Sequence, residues 1–324
     1  MSADPFSSII GHDNVCDVLQ RALASGLLPH ALLFVGPNGV GRRTVAEALI
    51  ATFLRRGLAG GIIDTHPDFM RLMRETDEKT GKEKTLIGIE QIGGLRERLH
   101  LSSFTGRKAA FIEEADRMSM GATNALLKTL EEPRGDALII LRAPRQESVP
   151  ATIASRCQII RFHPVPRAKI IQALIARGMD GQAAQDLARL ACGAPGHAFR
   201  LLRNLAARTE TDVGFSLFLS CMESSLPKRL KTAAALLPKD EANKAMVLAR
   251  TLEQWEPGFR DMLLHAIGCE ELATRADADL RRLASRFSPL HCVKALQAIS
   301  AIGRDVMSHV NPQMALEHVL LSFP

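Results

Sequence analysis

The chain has no tyrosine and a single tryptophan, and aromatic residues make up 4% of its 324 positions. Binding of single-stranded nucleic acid by base stacking needs exposed rings along a groove, so this scarcity argues against that mode. It suits instead a helix-rich core of Leu, Ala and Ile. The six cysteines, Cys16, Cys157, Cys192, Cys221, Cys269 and Cys292, form no C-x-x-C pair and no local cluster. Such spacing fits neither a disulfide framework nor a zinc site, and it predicts buried, reduced thiols. No apolar run reaches the length of a membrane span. MSADPFSSII at the N-terminus has no basic run ahead of an apolar stretch, so no secretion signal is expected and a cytoplasmic protein is. Internal repeats of fixed period and low-complexity tracts are lacking too.

What is present is ordinary for a globular protein: 46% hydrophobic and 23% charged residues. The length exceeds one ordinary core, so two or three domains are expected. A net charge of +6 tolerates a polyanionic partner without demanding one.

Residues 12–26 (HDNVCDVLQRALASG) space Val15, Val18, Leu19, Ala22 and Leu23 on one helical face, with Gly26 as a stop. ALLFV at 31–35 is a short apolar run ending at a glycine, which reads as a buried strand. AAFI (109–112), ALIIL (137–141) and QIIRF (158–162) read the same way. Helical segments intervene, notably RTVAEALIATFL from Arg43 and MGATNALLKTL (120–130), which Pro133 closes. Strands alternating with helices predict a parallel α/β sheet covered on both faces. DEKTGKEKT (77–85) reads as a charged hairpin or solvated excursion. Beyond about residue 165 the strand-like runs stop and helical periodicity takes over. Pro227, Pro238, Pro257–Gly258, Pro289 and Pro312 punctuate it as turn signals. The expected partition is an α/β domain over 1–165, a small helical domain over 166–208 and a helical bundle over 209–324.

GPNGVGRRT (36–44) lies between the first strand and a helix and nearly has the shape of a phosphate-binding loop, G-x-x-x-x-G-K-[ST]. In a working loop, backbone N–H groups at a helix N-terminus cradle the phosphates. The lysine reaches the outer phosphates, and the hydroxyl ligates Mg²⁺. Here Gly36, Gly39 and Gly41 remain, but Arg42 replaces the lysine and Arg43 the hydroxyl residue. Arg42 is a competent phosphate donor of different geometry. Arg43 puts a cation where the metal wants an oxygen, and Thr44 comes one residue late, about 100° round the helix. The strand KAAFI ends in Glu113 and Glu114. Glu114 is placed to be a base, whereas Glu113 is one methylene longer than the aspartate an octahedral Mg²⁺ site would use. Three departures point toward lost hydrolysis, and any ATP or ADP that docks is expected to be held weakly and not required.

Ser155-Arg156-Cys157 falls between a short helical stretch and the last strand, at a sheet edge. Two readings of Arg156 stand at this level: a structural arginine paired with a carboxylate, or one presented to a neighbouring subunit's nucleotide. The combination FSSIIGHDNV, LPHALLFVGPNGVGRRT, EEADRMSMGATNALLKTLEEP and ATIASRCQIIRF resembles the AAA+ clamp-loader family in detail over residues 5–165. GAPGHAFRLL (193–202) extends the resemblance loosely.

That resemblance implies an AAA+ phosphate-loop sheet, a helical lid and a C-terminal helical collar. It implies partnership with motor (gamma/tau) and delta subunits, with a sliding clamp, and with primed DNA through the assembled complex. It also implies that Arg156 acts in trans on a neighbour's ATP. Departures accompany it. Ala143 and Pro144 stand where sensor threonines are expected, Gly196 beside His197 where a sensor arginine is expected, and GLAGGIIDTHPDF (57–69) lacks a cysteine-rich zinc insert, so neither zinc nor another metal is expected. The alternative is an active ATPase using Arg42, Thr44 and Glu114. A stand-alone DNA-binding protein is a third reading, which no helix-turn-helix or aromatic platform favours. RLHLSS (98–103) and ESVP (147–150) lie near surfaces and receive no role.

Overall fold

A computed structural model of the chain describes residues 5–54, 63–76, 84–133, 135–238, 241–275, 277–305 and 311–321. Most of the charged stretch 77–85 and residues 57–62 of the segment expected to lack a zinc insert lie outside the described residues. The chain divides into two compact units, residues 1–177 with 193–196, and residues 178–192 with 197–324.

In the first unit the elements run α1 (Asp13–Ala24), β1 (Ala31–Val35), α2 (Arg42–Phe53), β2 (Phe69–Leu72), α3 (Ile89–His100), β3 (Arg107–Ile112), α4 (Met120–Glu131), β4 (Asp136–Ala143), α5 (Ala151–Ala154), β5 (Gln158–Arg161) and α6 (Arg167–Ile175). All four strand pairings are parallel, in the order β2-β3-β4-β1-β5. This is the parallel α/β sheet expected from the sequence, with β2 and β5 at its edges. Successive strand residues point to opposite faces. Leu32, Phe34, Phe111, Leu138 and Ile140 pack with α1 and α2, whereas Leu33, Val35, Ile112, Ile139 and Leu141 pack with α3 and α4. Helices therefore cover both faces, and the continuous apolar runs follow from that double burial.

Local chemistry explains the ends of these elements. Ser119 caps α4 by accepting from the Ala122 N–H at 3.1 Å. At the end of α3 the buried Lys108 ammonium donates to the carbonyls of Arg98 (2.6 Å), Leu99 (3.2 Å) and Leu101. A cation there satisfies acceptors that the helix leaves open.

Buried Asp68 holds the following turn. It accepts from Phe104 N (3.0 Å), Thr105 N (2.9 Å) and Thr105 Oγ1 (2.8 Å). Burial pushes its carboxyl up, but these bonds and nearby His66 pull it down, and the balance lies below the ordinary aspartate range. A carboxyl lowered by folding stabilises above its unfolded pKa of about 3.9 and loses that contribution as pH falls through the folded value. Asp68→Asn is expected to cost about 2 kcal/mol at neutral pH. It is also expected to flatten the acid limb below about pH 4 in urea titrations across pH.

In the second unit α7 (Gly181–Leu190) and the bulk of α8 (Pro195–Arg203) precede α9 (Leu205–Glu223), α10 (Leu226–Leu236), α11 (Glu241–Ala266), α12 (Ala278–Arg286), α13 (Pro289–Asp305) and α14 (Pro312–Leu321). Phe218, Trp255 and Phe259 centre its core, with the Phe218 and Phe259 rings edge-to-face at 4.9 Å. Pro257–Gly258 does not make the turn expected of it but lies inside α11. The tertiary packing outweighs the local cost: a Cβ on Gly258 would lie 2.5 Å from the Phe218 ring, so only glycine lets α11 meet α9 this closely.

Among the cysteines, Cys16, Cys221 and Cys292 are buried, Cys157 and Cys269 are half-buried, and all six are free thiols. Cys192 is a correction: it is exposed, with its Sγ 3.6 Å from Thr274 Oγ1. No helix among the described residues is long and apolar enough to cross a membrane.

Candidate functional site

The glycine loop joins β1 to α2 at the end of the sheet, where a phosphate loop belongs. Gly36 has φ +149°, and a Cβ there would lie 2.4 Å from the Phe162 carbonyl oxygen, so the loop can leave β1 here only as glycine. Gly41 precedes α2 with φ +116°.

Arg42 does not project from this loop. Its side chain is buried, with one Nη donating to the Ala143 carbonyl and the other to Asn38 Oδ1 at 2.8 Å. Burial and then the neighbouring Arg142 charge push the guanidinium down to about 10. A group chemically competent to donate to phosphate is thus turned inward, tying the loop to the end of β4. Pro144 adds a second tie, since its carbonyl accepts from Gly36 N at 3.2 Å.

Arg43, in the metal-ligand position, pairs with Glu47 one turn along α2 (2.9 Å) and reaches Glu113 at 3.5 Å. Thr44 is exposed. Glu113 itself is buried at the end of β3 and ringed by guanidinium groups. Arg71 Nη1 lies 2.5 Å away and Arg142 Nη2 3.4 Å away, while Arg142 Nε donates to the Glu113 carbonyl at 2.7 Å. Arg71 also bonds Asp64 (2.6 Å) and Glu47 (2.8 Å). Burial opposes its charge, but these carboxylates outweigh burial and hold its pKa above the ordinary arginine value.

Arg71 sits on β2, in FMRL, and was not singled out by sequence reasoning. Its signal was an arginine inside an otherwise apolar four-residue run. Glu114 takes both ends of the Arg74 guanidinium, at 2.9 and 3.1 Å. Burial raises its pKa, but Arg74 overrides that, leaving Glu114 below the usual carboxylate range and a weaker base for it.

Gly196 is placed against the loop itself, its N–H donating to the Gly39 carbonyl at 2.8 Å. A Cβ at 196 would lie 3.0 Å from that oxygen, so a side chain in the sensor position would press on the loop backbone. His197, next in the chain, falls in the second unit. It is half-buried, with its pKa lowered by burial and then by Arg200.

Arg156 lies apart from these residues, between α5 and the edge strand β5. Its Nε donates to Glu131 Oε1 at 2.7 Å, its Nη2 pairs with the same oxygen, and its Nη1 donates to the Thr152 carbonyl at 2.9 Å. Cys157 turns the other way, into the core on the α3–α4 face, and burial pushes its thiol up to about 12. That anchor leaves Ser155 and Arg156 outward. Among the described residues, no group of three or more His, Cys, Asp or Glu is placed to hold a metal.

Residues 11–166 match the family model described as DNA polymerase III, delta subunit. The chain is 34% identical over 188 residues to the DNA polymerase III subunit delta' of Pseudomonas aeruginosa, a match spanning 53% of this chain and 55% of that one. It is 25% identical over 344 residues to the DNA polymerase III subunit delta' of Bacillus subtilis, covering 95% and 94% of the two chains. Among solved structures, a DNA polymerase III gamma subunit-related protein from Thermotoga maritima aligns over 94% of this chain and 97% of its own, at 16% identity and a TM-score of 0.49.

Proposed function

Because residues 11–166 match the family model described as DNA polymerase III, delta subunit, we propose that this chain is a delta-prime-type clamp-loader subunit that does not hydrolyse ATP itself. In this reading it works in the cytoplasm within an assembly of motor (gamma/tau) and delta subunits that places a sliding clamp on primed DNA. Residues 166–208 serve as the lid and 209–324 as the collar.

The pairing of Arg43 with Glu113 carries the proposal. A hexacoordinate Mg²⁺ needs oxygen ligands at about 2.0–2.1 Å. Here the loop offers it a guanidinium, and the strand-end carboxylate is already held by three arginines. Arg42 turned onto Ala143 and Glu114 held by Arg74 support the same conclusion for the phosphate donor and the base. The residues present do not fit a metal–nucleotide pair, so the contribution assigned to this chain is Arg156, offered to a neighbour's ATP. The active-ATPase alternative would require Arg42, Arg43 and Arg74 all to abandon their partners.

Turnover separates the two. The isolated chain is expected to release phosphate from ATP no faster than a protein-free control. Reconstituted with the motor and delta subunits of the same organism, clamp and primed DNA, it is expected to support ATP turnover. Hydrolysis by the chain alone would sink the proposal and return catalysis to Arg42, Thr44 and Glu114.

A further inference from the structure

We propose that Glu131 is a parking position for Arg156, holding the guanidinium in cis until a neighbour's phosphate takes it over. The inference rests on the trans-acting reading of Arg156 and adds a positioning residue to it. Three features make the parked state specific. The Arg156 Nε and Nη2 both address Glu131 Oε1, and Nη1 is taken by the Thr152 carbonyl, so three of the five guanidinium N–H groups are committed to one short stretch of surface. Glu131 is the last residue of α4, where the unpaired carbonyls of the helix end add negative potential. Cys157, half-buried behind the turn and packed against the α3–α4 core, fixes the backbone from which Arg156 projects.

Other features make the parked state easy to leave. The two side chains are 34% and 46% exposed. Pairs so exposed bias an equilibrium by roughly fivefold at most. A single carboxylate oxygen receives both bonds, so the pair lacks the two parallel bonds of a fork-on-fork contact. A phosphate group offers the guanidinium more charge and a bidentate acceptor, and it outcompetes Glu131. Engagement with a neighbour's ATP therefore begins by breaking the Glu131 contact, and the strength of that contact enters the ATP concentration at which the finger closes.

The test is steady-state ATP turnover against ATP concentration in the reconstituted assembly, for wild type, Glu131→Gln, Arg156→Ala and the double variant. Glu131→Gln is expected to lower KM about threefold with kcat unchanged, and to be silent in the Arg156→Ala background. A purely structural role for Glu131 would move both backgrounds alike. An unchanged or raised KM in Glu131→Gln, with Arg156→Ala strongly impaired, overturns the parking role and leaves the finger standing. An Arg156→Ala assembly that turns over ATP like wild type overturns the finger and the parking role together. Thermal melting of the isolated variants guards against a folding defect, and Glu131→Asp, too short to reach, is expected to behave as Glu131→Gln.

Discussion

With Arg156 replaced by alanine, single-turnover hydrolysis at the neighbour's ATP site proposed to receive it is expected to slow by on the order of a thousandfold, while the assembly stays intact. The size follows from what a guanidinium does in phosphoryl transfer. Charge spreads over the equatorial oxygens and toward the leaving group in the transition state, and a planar donor fork placed there stabilises it more than the ground state. Arg156 can take this role because β5 is an edge strand and Cys157 pulls the chain inward, leaving the arginine side chain at the sheet's outer rim. Its bonds to Glu131 and Thr152 are too exposed to make it a structural cornerstone, so Arg156→Ala is expected to melt with wild type in the isolated chain. Arg156→Lys keeps the charge but loses the fork and is expected to recover little of the rate. Rapid-quench measurement with pre-bound ATP reads the effect, and sedimentation verifies the assembly. Wild-type hydrolysis in an intact Arg156→Ala assembly would reduce the residue to a surface ion pair.

Of the two arginine readings open at the level of sequence, the structure shows the carboxylate pairing: Arg156 bonds Glu131 and remains exposed. Sequence reasoning reached the strands β1, β3, β4 and β5 because burial on both faces writes continuous apolar runs. It missed β2, whose four residues include Arg71, since a charge inside so short a run hides the strand. It also passed over α3, where Gly93 and Gly94 interrupt the helical pattern. Both glycines have open space beyond their Cα, so Ile92, Leu95 and Leu99 alone bury that helix.

The departures at Arg42, Arg43 and Glu113 were each legible as losses. That Arg43 and Glu113 pair with each other was not, because strand order decides which side chains meet. β2 beside β3 brings Arg71 onto Glu113, and β4 on the other side brings Arg142. Arg43 and Glu113, read in sequence as departures from a metal site, lie in one set of ion pairs with Glu47, Arg71 and Arg142, whereas Arg42 bonds Ala143 and Asn38.

Glu113→Gln is expected to destabilise the first unit by about 3 kcal/mol. Glutamine keeps the shape of glutamate, so the loss isolates the charge. Removing it leaves Arg71, Arg142 and Arg43 around a neutral amide, with buried Arg42 already disfavoured as a cation by burial and by Arg142. Breaking one side of a buried pair costs about 3–5 kcal/mol. The lower end applies because Arg71 retains Glu47 and Asp64 and Arg43 retains Glu47.

The two units need separate readouts, since each has its own core and one unfolding free energy would not describe both. The single tryptophan, Trp255, lies in the second unit, so its fluorescence in urea is expected to be unchanged and serves as the internal control. Amide hydrogen exchange in β3 and β4 reports the first unit and is expected to lose protection by a factor of roughly 100. Unchanged protection would mean that the carboxylate is dispensable to the fold, and therefore free to ligate a metal after all. Loss of protection without change at Trp255 would mean that the Glu113 charge joins β3 to β2, β4 and α2 through Arg71, Arg142 and Arg43, as expected of a carboxylate committed to ion pairs.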